Sequence, residues 1–341
     1  MTSLCHINSY LSHNYLFFIM RFSDKQWIVN ILLMCGSISL TIGGVEVFLR
    51  ITHQYETFDA ATELSWMRNN PQDLSQYFTI DPDIGFCPIL GVGGYTEYGT
   101  SPNKYPLEKR PEITRMLFIG DSVTARGKIV EAIRRHYDDE AFEYWNAGVE
   151  SFNTVQEVKF YQRYNAAIQP DHVILTFHLN DFEPTPVAFF NEKKQLVVYV
   201  PHTPLKRVNR WLFEKSYLYR WILGITLRPG QGRGEIAEEV QQYLQILRDE
   251  LNSQQIRLTV LILPLLKPFE QWSQEEQDAR HEILRIVQHL NIRYVDLYEP
   301  FQQAMAAGIT VQDSPGDTWH PSSEVAKIFA EYMAGLRLLE E

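Results

Sequence analysis

From residue 113 onward the chain repeats one pattern, a short apolar run, a break, then an amphipathic segment. The runs lie at 116–119, 142–146, 172–177, 258–263 and 293–297. The amphipathic segments lie at about 125–137, 153–166, 235–252, 274–290 and 322–340. Apolar runs this short, bounded by turn formers, read as buried strands. In 235–252, Ile236, Val240, Tyr243, Leu244, Leu247 and Leu251 recur at three- and four-residue spacing, which gives a helix one apolar stripe. Strands alternating with helices imply an α/β fold, a parallel sheet covered on both faces. The usable surface of such a sheet lies beyond the carboxyl ends of its strands.

Two regions stand outside the alternation. Residues 52–112 are rich in turn formers and read as an irregular lead-in. Residues 182–233 read as an insertion, a hairpin turning at "NEKK" followed by the aromatic stretch "WLFEKSYLYRWIL". Its rings (Phe189, Phe190, Trp211, Phe213, Tyr217, Tyr219, Trp221) suit a small satellite core, stacking on sugars, capping of an acyl chain or a dip into a membrane surface.

Ahead of both lies "WIVNILLMCGSISLTIGGV", from Trp27 to Val45, with no charged residue. That length just reaches across a bilayer, so residues 27–49 are expected to form a transmembrane anchor. A buried core helix or a cleaved signal peptide would share this composition. Arg21 and Lys25 precede the stretch, which by the positive-inside rule puts residues 1–26 in the cytoplasm and the remainder in the periplasm or outside the cell. Residues 1–19 read as an over-long start, because Met20 opens an ordinary basic lead into the span.

The formal net charge of −11 excludes a nucleic-acid partner, which would need a basic face. The three cysteines, Cys5, Cys35 and Cys87, fall in regions of different character and form neither a disulfide framework nor a zinc site. The glycine-rich "GVGGYTEYG" at 91–99 follows no strand and opens no helix, so it is a poor phosphate cradle.

Four short segments carry the chemistry. The first strand ends in "GDSVTARG", which places Ser122 after a tight glycine turn, with Asp121 beside it. A serine hydroxyl needs a base within hydrogen-bond reach to act as a nucleophile. The second strand ends in "NAGVESFNTVQE", where Gly148 permits close backbone approach and its N–H can face a developing oxyanion. The third ends in "VILTFHLND", where the Asn180 amide can donate without bringing a charge, and Asp181 suits a loop-fixing role. Near the C-terminus, "DTWHP" sets His320 at a loop-to-helix junction. Asp317 lies three residues earlier, within reach of one ring nitrogen. Three of the four segments end successive strands, so a parallel sheet brings them to one edge.

These segments resemble the four blocks of the SGNH (GDSL-type) hydrolase superfamily, over about residues 113–340, and "NTVQE" is similar to its membrane-anchored bacterial members. The resemblance implies a flavodoxin-like three-layer α/β/α sandwich. It further implies Ser122 as nucleophile, His320 as base, Asp317 as its orienting partner, and an oxyanion hole of the Ser122 N–H, the Gly148 N–H and the Asn180 side chain. One departure stands out: His178 replaces the glycine usual in the third block. It should share a face with Asn180, where it narrows the pocket, tunes His320 or simply packs. His172, six residues back along the strand, lies about 20 Å away, too far to share a metal. No metal or cofactor is expected. The implied activity is hydrolysis of an acyl ester, with acetyl groups on an envelope or exported polysaccharide as the favoured substrate. An O-acyltransferase on the same residues and an inactive glycan- or partner-binding domain are the rival readings.

Overall fold

The computed structural model describes residues 7–52, 74–137, 140–190, 194–200, 205–226 and 233–337. The expected turn at residues 191–193 and the lead-in residues 53–73 lie outside the described residues.

Five strands form one parallel sheet, β3 (Thr114–Gly120), β4 (Phe142–Asn146), β5 (His172–Phe177), β8 (Arg257–Ile262) and β9 (Arg293–Asp296), in the order β4-β3-β5-β8-β9. Numbered within the sheet, that is 2-1-3-4-5, the flavodoxin-like order. Every residue of β5 is buried, as expected for a central strand covered on both faces. One face packs on α3 (Lys128–Tyr137), α9 (Tyr298–Ala306) and α10 (Ser323–Gly335) through Met116, Phe118, Ile174 and Leu261. The other packs on α4 (Thr154–Arg163), α7 (Arg233–Ser253) and α8 (Gln274–His289) through Leu117, Ile119, Val173, Leu175 and Val260. Alternate residues of β3 therefore feed opposite cores, the period-two pattern of a strand sandwiched between helices. In α7 the predicted stripe is buried at Ile236, Val240, Leu244, Leu247 and Leu251, with Tyr243 at its edge. The result is a three-layer α/β/α sandwich.

The lead-in is more regular than its composition suggests. Phe78–Asp81 (β1) and Gly85–Pro88 (β2) form an antiparallel hairpin. The insertion contributes a second one, Val187–Phe190 (β6) against Leu196–Tyr199 (β7). Phe78, Ile84, Phe86, Leu196 and Val198 pack with Val149, Phe152 and Phe160 into a satellite core. The two hairpins thus bury each other's apolar faces, which neither could do alone.

Two further helices of the insertion are α5 (Arg210–Lys215) and α6 (Tyr217–Thr226), and from Trp211 to Thr226 they group with the N-terminal helix as a separate compact unit. That helix, α1, runs Ile7–Ile51. Its Lys25–Ile51 stretch of 27 residues is long and apolar enough to cross a membrane, and among described residues it is the one helix that is. At about 1.5 Å per residue it spans about 40 Å, more than the hydrocarbon core needs.

At the amino ends of the strands a single buried cation ties the sheet to the lead-in. Arg115 is fully buried, and its Nε donates to Glu143 Oε2 at 2.8 Å. Its Nη1 donates to the carbonyls of Leu107 and Ile168, and its Nη2 to that of Pro106. Trp145 Nε1 donates to the same Glu143 oxygen. Removing one partner of such a pair leaves an uncompensated buried charge. Arg115→Met is expected to lower unfolding free energy by about 3–5 kcal/mol, read from urea denaturation, and Arg115→Met with Glu143→Met should recover much of that loss.

Candidate active site

The first turn after β3 is a short helix, α2 (Ser122–Ala125), started by Asp121, whose Oδ1 accepts the Val123 N–H at 2.8 Å. Asp121 is buried, and its other oxygen accepts a hydrogen bond from Asn180 Nδ2 at 2.9 Å. The exits of the first and third sheet strands are thereby joined through one carboxylate. Burial pushes the Asp121 carboxyl up, with bonds from Val123 and Asn180 opposing that shift.

Two glycines make room for α2. A Cβ on Gly120 would lie 2.2 Å from Thr124 Oγ1, and one on Gly148 would lie 2.2 Å from the Ala125 backbone nitrogen. Neither position accepts a larger side chain without moving the helix that carries Ser122. The Gly148 N–H donates to Asn146 Oδ1 at 2.9 Å, while Asn146 Nδ2 donates to the Thr124 carbonyl at 2.7 Å. Asn146 therefore clamps the end of β4 to α2.

His320 arrives from the loop before α10. That loop is pinned to the segment after β8 by the Leu266 N–H donating to the Thr318 carbonyl and by Gln312 Nε2 donating to the Leu266 carbonyl. Ser322 then caps α10 by accepting the Val325 N–H. Ser122 Oγ stands 2.9 Å from His320 Nε2, and His320 Nδ1 stands 2.8 Å from Asp317 Oδ2. Asp317 Oδ1 also accepts the backbone N–H groups of Trp319 and His320. Burial disfavours the Asp317 charge, but these bonds outweigh it and hold the carboxyl below its ordinary value. An ionised Asp317 fixes the ring so that Nε2 faces the serine hydroxyl. The structure thus brings Ser122, His320, Asp317, Gly148 and Asn180 to one edge of the sheet, beside the gap between β3 and β5 where the strand order reverses.

His178 is fully buried and plays a structural part. Its Nδ1 accepts the Leu179 N–H at 2.9 Å, starting the turn that presents Asn180, and its ring packs 4.5 Å from that of Trp319. Asp181 closes the same turn, accepting the His178 N–H at 2.6 Å and the Thr154 hydroxyl at 3.0 Å. His172 lies at the far end of β5, bonded to Thr259 Oγ1. No group of three or more metal-ligating side chains occurs among the described residues.

Several neighbours of the site carried no clear signal in the sequence. Glu157, in α4, is buried with neither carboxyl oxygen hydrogen-bonded. Burial first, then the nearby Asp181 and Asp121, push its carboxyl well up. Arg126, in the "GDSVTARG" segment, brings Nη1 within 3.6 Å of Asp317 Oδ2. Trp319 and Asn180 line a cleft of about 740 Å³ whose walls include Glu183, Arg233, Glu238 and Asp278.

No protein-family model and no curated protein matches the chain. Among solved structures, it is similar to LAE5, an alpha/beta hydrolase enzyme from the metagenome of Lake Arreo, Spain, at 14% identity and a TM-score of 0.44, covering 66% of this chain and 96% of that one. It is also similar to Axe2, an acetylxylan esterase from Geobacillus stearothermophilus, at 15% identity and a TM-score of 0.44, covering 66% of this chain and 95% of that one.

The buried His178 makes a pH prediction with a definite sign. Burial first, and the nearby His320 second, lower its pKa from 6.5 to about 3, so the folded state keeps it neutral while the unfolded chain protonates it. Its contribution is intact above pH 6.5 and is lost as pH falls toward 3. The stability of the wild type relative to His178→Gln should therefore drop by about 1.4 kcal/mol per pH unit across that window, measured by urea unfolding of both proteins. A pH-independent difference would contradict the assignment.

Proposed function

We propose that the chain is a serine esterase of the SGNH type, and the relay Ser122 Oγ–His320 Nε2, His320 Nδ1–Asp317 carries that reading. A hydroxyl hydrogen-bonded to an imidazole, which is itself oriented by a carboxylate, is the arrangement nucleophilic acyl transfer requires. His320 Nε2 takes the Ser122 proton as Oγ attacks the ester carbonyl. The tetrahedral oxyanion is held by the Ser122 N–H at the start of α2, by the second proton of Asn180 Nδ2, and by the Gly148 N–H, which shares itself with Asn146 Oδ1. The imidazolium then protonates the departing alkoxide, leaving an acyl-enzyme. Water, deprotonated by the same ring, releases the acid and restores Ser122. Asp317 stabilises the charged ring without taking its proton.

The cleft beside Asn180 supports a hydroxyl-rich alcohol as the leaving group. Carboxylates such as Glu238 and Asp278 can accept hydrogen bonds from sugar hydroxyls, and Trp319 offers an indole face for the apolar side of a ring. Acetylated polysaccharide outside the cytoplasmic membrane is the substrate class that fits, with residues 1–26 inside and the catalytic domain outside.

Purified protein assayed on short p-nitrophenyl esters and acetylated glycans tests the reading. Ser122→Ala should abolish acetate release and labelling by a fluorophosphonate probe; wild-type rates in that variant would end the assignment. Asn180→Ala should stay folded and lose about 10²–10³ in turnover. Asp317→Asn should lose about 10⁴, because the ring is then held in the wrong tautomer.

A further inference from the structure

The helical part of the insertion is locked to one end of α1. Glu46 accepts the Ser216 hydroxyl at 2.9 Å, the Tyr217 N–H at 3.0 Å and the Leu218 N–H at 2.8 Å, which caps the start of α6. Arg50 Nε donates to the same Glu46 at 2.8 Å, and its Nη2 donates to the Lys215 carbonyl, with the guanidinium 4.7 Å from the centre of the Tyr217 ring. Arg220 is buried and donates to the carbonyls of Phe213 and Glu214, closing α5 onto α6.

Along α1, residues 32–44 stay exposed throughout, whereas Val45 and Glu46 are half-buried and Leu49 is buried. A helix running alongside α1 would cover the earlier residues as well. α6 therefore crosses α1 at its end, five residues before the candidate span closes at Ile51. From Ser216 to Thr226 the sole charged side chain is the buried Arg220. The exposed surface of α5 and α6 presents Trp211 at 67% exposure, Ile222 at 42% and Ile225 at 55%, with the Glu214–Lys215 ion pair also exposed on α5. A tryptophan and two isoleucines facing outward, at the level where an apolar span ends, match the composition of helices that lie in a membrane–water interface.

We propose that the α5–α6 hairpin lies in the bilayer interface, with Trp211, Ile222 and Ile225 among the lipid headgroups and upper acyl chains and Glu46 setting its depth. The occupant of this face is a lipid surface because the face continues the apolar exterior of α1. The proposal rests on α1 crossing the membrane and is independent of the esterase reading.

The full chain in phosphatidylcholine nanodiscs, with acyl chains either brominated at positions 6 and 7 or unmodified, provides the test. The Trp211 emission, taken as wild type minus Trp211→Phe, should fall by about twofold or more in brominated lipid. Ile225→Trp should add emission that bromine quenches to a similar degree. The Trp27 emission, taken as wild type minus Trp27→Phe, reports the span itself. Quenching at Trp27 without quenching at Trp211 or at the introduced tryptophan overturns the proposal, and quenching at none of the three overturns it along with the span. Emission at position 225 that is blue-shifted but unquenched would assign the face to a protein partner or a second copy, and would equally overturn it.

Discussion

The site depends on how closely the backbone of α2 can approach its two flanking strands. Ser122 sits on a single helical turn wedged between the exits of β3 and β4, and Gly120 and Gly148 leave no room for a Cβ against it. That close approach puts the Ser122 hydroxyl within reach of a histidine nearly two hundred residues later in the chain. A shift of α2 by the width of one methyl group would break the 2.9 Å contact with His320, and effective positioning in such sites tolerates errors of well under that.

Electrostatics divide along the strand axis. At the amino ends, Arg115 and Glu143 form a buried pair, and the arginine donates further to three backbone carbonyls. At the carboxyl ends, carboxyls predominate: Asp121, Asp181 and Glu157 are all buried, and burial raises each of them. Hydrogen bonds satisfy Asp121 and Asp181, whereas neither oxygen of Glu157 has a hydrogen-bond partner and burial disfavours its charged form. Among these three, Asp121 is the one that links Ser122's helix to Asn180.

The sandwich was legible because a strand buried on both faces must be continuously apolar. The runs at 142–146 and 172–177 coincide with β4 and β5 residue for residue. α9 is masked in the sequence because Pro300 interrupts "YEPFQQAMA", although a proline in the first turn of a helix forfeits no hydrogen bond. The β1–β2 hairpin was hidden among turn formers, and its partner for burial lies a hundred residues away in the insertion. Around the site, Ser122, Asp317 and His320 were readable from local motif and strand position. Asn146 and Glu157 were not. An asparagine at a strand end and a glutamate on a helix look like surface residues until tertiary packing encloses them. The sequence offers His178 a place in narrowing the pocket, tuning His320 or packing, and its hydrogen bond to the Leu179 N–H gives it a further task, starting the turn that carries Asn180.

Under the proposed esterase reading, with Gly148 as an oxyanion donor, its hydrogen bond to Asn146 has a consequence for selectivity between reaction stages. A buried amide proton left idle between turnovers would penalise the resting protein, and the asparagine oxygen removes that penalty. An uncharged ester carbonyl competes with a carboxamide oxygen on roughly equal terms and gains little by displacing it. An alkoxide carrying full negative charge competes far better. A proton so occupied adds almost nothing to affinity for intact ester and is released mainly to the high-energy species, which is the discrimination that speeds a reaction instead of merely tightening a complex.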